Sequence, residues 1–325
     1  MNIKPLFYVL ALSSIFFACE KEFIPDLPTV SEEVVVEGYI EAGRDATPPY
    51  VILTKSLPFF KELTSFNNVF VEGAEVWISN GTDSTQLQEF CWKNLDPSVK
   101  KQAALFFGIN ADSVSADFNF CVYIDFTQKI KGEIGKTYAL RIKTKEGKLL
   151  TAKTYIPRAV KIDTIEFIKP PGINQNDTMA QARATITDPK GADFYRYFTS
   201  INGSSYVAGA NSVTDDAFFD GQVTKFNLLN SEPRGSGGGE NFGLFRRGDT
   251  ISIKFAMIDK AHFDFWTTLE FNANNGGPFA SYTRVKHNIS GGLGIWGGSS
   301  TSYYDIVVPK MIKFHFFCRK KLMFY

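Results

Sequence analysis

Tyr138-Ala139-Leu140-Arg141-Ile142-Lys143 alternates large apolar with smaller or charged side chains at period two, and Leu149 to Ile156 runs back after a turn at Glu146-Gly147. This is the pattern of a β-hairpin with Tyr138, Leu140 and Ile142 on one face. Pro157 ends the unit. Upstream, Val34 to Ile40 is a β-branched run, and Tyr50 to Thr54 and Ala74 to Ile78 follow, each bounded by Gly, Pro or Asn. Short strands separated by turn residues predict a sandwich, so residues 34–158 read as an immunoglobulin-like or transthyretin-like domain.

One segment interrupts it. Asp96 as N-cap, Pro97 at the first helical position and Gly108 past the end bracket a short helix, with Val99, Ala103 and Phe106 on one face. Cys91 and Cys121 flank this insertion. Between Phe118 and Phe126 the alternation places Cys121 on the face opposite Phe118, Phe120, Val122, Ile124 and Phe126, the more polar one. Beyond it, residues 159–325 read as a second β-rich domain. Ile162 to Ile168, Ala182 to Thr187, Tyr195 to Ile201 and Ile251 to Ile258 are its strands. Ile251, Ile253, Phe255 and Met257 share one face of the last, and Ser252, Lys254 and Ala256 the other. A single helix follows, capped by Asp259, with Phe265, Trp266, Leu269 and Ala273 as an apolar stripe that packs on the core. The glycine-rich stretch from Ser231 to Asn241 reads as a loop available for partner contact.

The 325 residues suit two domains, and 31 Phe, 13 Tyr and 4 Trp with only 21% charged residues exclude a disordered chain or a coiled coil. Thirty-five basic side chains against 34 acidic ones remove nucleic acid and anionic membranes as electrostatic partners. The N-terminus fixes an expected location. Lys4 precedes an apolar run from Leu6 to Phe17, too short to span a bilayer, and Ala18-Cys19 then places a small residue before a cysteine. Residues 1–18 read as a lipoprotein signal peptide and Cys19 as the lipidated N-terminus of the mature chain. Residues 19–33, with Pro25, Pro28 and the charges Glu20, Lys21, Glu22 and Asp26, read as an extended tether. Its acidic start resembles the surface-export signal of Bacteroidota lipoproteins. With Cys19 carrying lipid in an oxidising compartment, three thiols remain, and the expected disulfide joins Cys91 to Cys121 and leaves Cys318 unpaired.

Motifs of chemistry are scarce. His262, His287 and His315 stand apart from acids or cysteines at metal-ligand spacing, so no metal centre is expected and each histidine reads as structural. Neither a Gly-x-Ser-x-Gly elbow nor a P-loop occurs, no catalytic residue stands out, and no cofactor is expected. Gly292-Leu293-Gly294-Ile295-Trp296-Gly297 matches a dinucleotide fingerprint by letter only and reads as a turn or bulge. Asp215, Asp216 and Asp220 before Gly221 are the candidate calcium or partner contact.

Several blocks in order carry a resemblance: Val34-Val35-Val36-Glu37-Gly38-Tyr39-Ile40, Val71-Glu72-Gly73-Ala74-Glu75-Val76, Gly135-Lys136-Thr137-Tyr138, Asp188-Pro189, Asp215-Asp216 with Asp220-Gly221, Gly276-Gly277-Pro278-Phe279 and Asn288-Ile289-Ser290-Gly291-Gly292-Leu293-Gly294-Ile295-Trp296. Together they resemble the Bacteroidota lipoprotein family known as domain of unknown function 4249. The resemblance implies a lipid-anchored outer-membrane protein, often encoded beside a TonB-dependent transporter, and it supplies no catalytic residues. The expectation is therefore a surface-exposed binding or accessory lipoprotein of an uptake system, not an enzyme, with a glycan or peptide ligand and no nucleic acid. The alternatives are a carbohydrate-binding or adhesive lipoprotein stacking sugars on Trp92 or Trp296, and a hydrolase built from distant carboxylates.

Overall fold

The computed structural model describes residues 32–57, 69–110, 118–170, 177–231, 241–274 and 283–310. Its elements in chain order are β1 (Val34–Ala42), β2 (Tyr50–Lys55), β3 (Glu75–Ser79), β4 (Ser84–Cys91), α1 (Pro97–Phe107), β5 (Cys121–Ile124), β6 (Thr137–Lys143), β7 (Leu149–Tyr155), β8 (Ile162–Ile168), β9 (Met179–Thr187), β10 (Phe194–Ile201), β11 (Val207–Asp215), β12 (Val223–Leu228), β13 (Phe245–Arg246), β14 (Thr250–Ile258), α2 (Lys260–Asn274) and β15 (Leu293–Val307). The fold is mainly β, as expected. The β6–β7 hairpin pairs Leu140 with Ala152 and Ile142 with Leu150, and Gly147 supplies the left-handed residue of its turn at φ 87°.

Eleven strands form one sheet in the order β11-β10-β14-β15-β1-β2-β5-β4-β3-β6-β7, and β9 carries β8, β12 and β13 in a second. The large sheet runs across the boundary expected near residue 158, because β15 pairs with β14 on one side and lies parallel to β1 on the other, Val36 opposite Gly294 and Glu41 opposite Ser299. The glycine-rich segment expected as a turn or bulge is instead the start of this 15-residue strand. Its glycines answer close approaches. A Cβ at Gly294, whose φ is 106°, would lie 1.9 Å from the Val36 carbonyl oxygen, and one at Gly297 would lie 2.7 Å from His262 Nδ1.

Strand alternation sends each side chain of the central strands to one of two faces. Val36, Ile40, Val51, Leu53 and Trp296 bury one face against Val76, Ile78, Leu140 and Ile142, where the sheet turns back on itself. Farther along the same face, Ile251, Ile253, Phe255 and Met257 pack on Ala182, Ala184 and Ile186 of the second sheet. The opposite face holds a third cluster under α1, formed by Trp92, Ala104, Phe120 and Val122 with Phe107 and Tyr50 at its edge.

Two local expectations need correction here. The cap of α1 is as expected, with Asp96 Oδ1 accepting from the Ser98 amide at 2.9 Å and Gly108 left-handed. Its buried side is Ala103, Ala104 and Phe107, however; Val99 is exposed, and Phe106 is half-exposed where it packs on Tyr50. Cys121 does not lie on a polar face: both sides of β5 are buried, Phe120 and Val122 under α1 and Cys121 and Tyr123 on the other side, with Tyr123 in the main core. The reason is that the Cys121 side faces the main core, while the insertion covers the Phe120 and Val122 side that an isolated sandwich would leave to water.

Candidate functional site

The polar face of the central strands is not open either. From β1 come Glu37, Tyr39 and Glu41, from β10 Arg196 and Phe198, from β14 Lys254, and from β15 Tyr303, all alternating with the core residues above. Helix α2 lies across them and presents His262, Trp266 and Glu270, spaced four residues apart and so on one helical face. Phe106 of α1 closes the other side. Between these walls is a cavity of about 840 Å³, within the 300–1,000 Å³ range usual for small-molecule sites.

Asp259 sets the start of α2. Its Oδ1 accepts from the His262 amide at 2.8 Å, and its Oδ2 accepts from Thr154 Oγ1 at 2.7 Å and from the Tyr155 amide at 3.0 Å, which fastens the helix to β7. The stripe expected on α2 is redrawn by the cavity: Phe265 is buried, Ala273 is exposed, and His262, Trp266 and Glu270 take the inward side.

The charged groups form two chains. Tyr39 Oη donates to Glu37 Oε1 at 3.0 Å, and the Arg196 charge acts on both groups. Arg196 Nε donates to Ser212 Oγ at 3.1 Å, and Ser212 donates to both Glu270 oxygens, from Oγ at 2.5 Å and from its amide at 2.9 Å. The guanidinium lies 3.6 Å from the Trp266 ring centroid and 4.6 Å from that of Phe198, so its flat faces are covered. In the second chain Lys254 Nζ pairs with Glu41 Oε1, and Glu41 Oε2 accepts from Tyr303 Oη at 3.0 Å.

Burial shapes the proton affinities. It pushes the Glu37 carboxyl up, a rise that the Tyr39 bond and the Arg196 charge only partly oppose. Burial, with the Arg196 charge second, holds His262 down at about 3, so its imidazole is neutral near pH 7. Neither His262 nitrogen nor Trp266 Nε1 has a hydrogen-bond partner among the described residues.

The residues expected from the sequence fall elsewhere. Asp215, Asp216 and Asp220 do not converge. Asp220 is exposed and accepts from the Gly191 amide at 2.8 Å, and Asp215 lies at the end of β11. Only Asp216 turns inward, and the acids it meets are Asp188 and Asp193, all three buried, with one oxygen of each within 4.8 Å of the others. Protein groups already occupy this trio: Arg158 Nη2 pairs with Asp193 at 2.5 Å, the Gly221 amide donates to Asp188 at 2.8 Å and Tyr195 Oη also donates to Asp188. Such a set could hold a hard cation by donor type; its evident role is to clip the 188–193 and 216–221 segments together. Trp92 and Trp296 are buried, which removes them as surface platforms for sugars. Cys19, Cys318, His315, Gly276 to Phe279 and most of the Ser231 to Asn241 loop lie outside the described residues.

Cys91 and Cys121 face each other on β4 and β5 and are joined by a disulfide. Serine at both positions is expected to cost about 3.5 kcal/mol, the chain-entropy value for a loop of this length. Urea titration with and without reductant measures it. No loss on reduction, or peptide mapping that joins Cys318 to either cysteine, would defeat the assignment.

Of the cavity residues, only Phe106, Ser252, Lys254, Ala256, His262 and Trp266 had drawn notice as chemistry or as a face in the sequence. The available signal was in β1, where Glu37, Tyr39 and Glu41 alternate with Val36, Gly38 and Ile40 in a run otherwise read as apolar. Polar residues at every second place of such a strand imply a second face with its own purpose.

Fold and site define a mainly β protein with a helix-covered, charge-lined cavity. The chain belongs to the family described as domain of unknown function DUF4249, whose sequence profile matches residues 20–304. No curated protein matches it. Among the described residues no helix is long and apolar enough to cross a membrane.

Proposed function

We propose that the protein is a binding lipoprotein, held at the outer membrane by lipid on Cys19, that takes a ligand into the cavity and works beside a TonB-dependent transporter at the cell surface. The cavity carries this reading: a half-open cleft of about 840 Å³ with aromatic rings and converging polar groups is built to hold a molecule. The apolar run before Ala18-Cys19 supports the anchor. Chemistry there is contact, since His262 lacks a hydroxyl or carboxylate partner among the described residues that would make it half of a nucleophile pair. The closest carboxylate trio, Asp188, Asp193 and Asp216, is buried outside the cavity lining, out of a substrate's reach.

A lipid anchor confines the protein to the membrane plane and raises the effective concentration of a membrane partner, so a weak interface suffices. The mature chain of 307 residues would carry 34 basic and 34 acidic side chains, so contact relies on shape and aromatic burial. Cys19→Ala is expected to move the protein to the soluble fraction; continued membrane retention would reject the anchor. A mild-detergent pulldown of the tagged lipoprotein is expected to recover a transporter, and its absence counts against the partnership. Deleting Gly235 to Gly239 tests the loop, since unchanged recovery would make it a plain connector.

A further inference from the structure

We infer that the cavity selects a ligand bearing a positive charge, an amine or guanidinium group, seated at Glu37 beside the rings of Tyr39 and Tyr50. This rests on reading the cavity as a ligand site and adds the class of ligand. The argument begins with a charge count. Four carboxylates line the cavity, those of Glu37, Glu41, Asp45 and Glu270, against two basic side chains, Arg196 and Lys254. Both basic groups are committed. Lys254 is paired with Glu41, and Arg196 is held by Ser212 with its faces covered by Trp266 and Phe198. Glu37 and Asp45 have no ion-pair partner among the described residues.

The consequence separates three ligand classes. An anion entering the cavity meets surplus negative charge and no free cation. A neutral polyol can donate hydrogen bonds but leaves that surplus uncompensated at the solvent-reached Glu37 and Asp45. A cation neutralises it. The geometry at Glu37 fits this role: Oε1 takes the Tyr39 hydroxyl, and Oε2 has no hydrogen-bond partner among the described residues. The Tyr39 and Tyr50 rings stand 5.6 Å apart at 59°, and Phe106 meets Tyr50 edge-on at 5.6 Å, an angled aromatic wall of the kind that receives ammonium groups. From the elements packed around Glu37, the other ionisable groups are Tyr50 of β2, Arg196 of β10, Lys254 of β14, Tyr303 of β15 and His262 and Glu270 of α2, of which His262 is uncharged at neutral pH.

Four probes of known charge test the inference on the whole mature protein at pH 7: phenethylamine, 2-phenylethanol, 3-phenylpropionate and maltotriose, by ligand-observed NMR and calorimetry. Phenethylamine is expected to bind about tenfold tighter than 2-phenylethanol, with 3-phenylpropionate weakest. Glu37→Gln, which keeps the size and an acceptor for Tyr39, is expected to remove most of that preference and leave 2-phenylethanol within about twofold of its original affinity. If 3-phenylpropionate or maltotriose binds as tightly as the amine, the cavity remains a ligand site and the cation inference fails. If no probe binds, the ligand-site reading fails and the inference with it. The ranking on the unmodified protein decides the matter even if the Gln variant does not fold.

Discussion

Gly294→Ala is expected to destabilise the protein by about 5 kcal/mol, the sum of roughly 2 kcal/mol for an alanine held at φ 106° and roughly 3 kcal/mol for the collision of its methyl group with backbone. The added carbon would lie 1.9 Å from the Val36 carbonyl oxygen, and backbone on a paired strand cannot move aside as a flexible side chain can. Relief requires β15 to separate from β1 where the two cores meet. Two residues on, Trp296 is fully buried, donates from Nε1 to the Tyr138 carbonyl at 3.2 Å and is fixed by Asn288, so the displacement would spread into the hairpin. Gly81→Ala is the control. Gly81 also has positive φ, 93°, but nothing lies within 4 Å of its would-be Cβ, so only the conformational part, about 2 kcal/mol, should appear. Urea unfolding of both variants gives the difference, and equal losses would refute the account.

Glu41→Ala should cost about 4 kcal/mol, because it strands the Lys254 ammonium in a site where only 17% of that side chain reaches solvent. The Phe198 and Tyr303 rings, 5.4 and 5.8 Å from Nζ, offset part of the loss. The double variant Glu41→Leu with Lys254→Met should recover most of the stability, since removing both charges leaves none to desolvate. A single variant costing under about 1 kcal/mol, or a double variant no better than the single, would overturn this. The pair also shapes the acid limb. Burial alone would raise the Glu41 carboxyl, but the Lys254 charge and bond, with the Thr47 amide and Tyr303 hydroxyl, hold it below the ordinary value. Its stabilisation is therefore present above the unfolded pKa of about 4.3 and is lost as pH falls through the lower folded value. His262, depressed to about 3, acts in the same direction from higher pH, and its contribution starts to fall near 6.5. Stability should thus decline in two stages on acidification, with the upper stage missing in His262→Gln.

What the sequence discloses follows from how far apart the interacting residues lie. The β6–β7 hairpin and the caps of α1 depend on neighbours a few positions away, so Tyr138, Leu140, Ile142, Asp96 and Gly108 are where local reading places them. The two faces of β14 were legible for the same reason: Ile253 and Phe255 entered the core, and Lys254 reached the cavity. Which strand lies beside which was not. Val35 pairs with Leu293, 258 positions away, and no period in either segment encodes that meeting. The cavity inherits this difficulty, since Glu37, Arg196, Lys254 and His262 come together only through β15 and α2. Glycines at 294, 297 and 298 obscured the strand itself by mimicking a turn, because the backbones and the His262 ring crowd in where side chains would stand.

The position of β1 has a mechanical consequence. It emerges from the N-terminal segment directly into the middle of the large sheet, bonded along its length to β2 on one side and β15 on the other. Tension entering at residue 34 and running along the strand loads both ladders in shear, and their bonds share the force. A terminal strand at a sheet edge, pulled across its length, would surrender them one after another. Resistance to forced unfolding is set by the unfolding rate under load and not by equilibrium stability. The sheet therefore grips from both sides the element through which a tethered protein would be pulled.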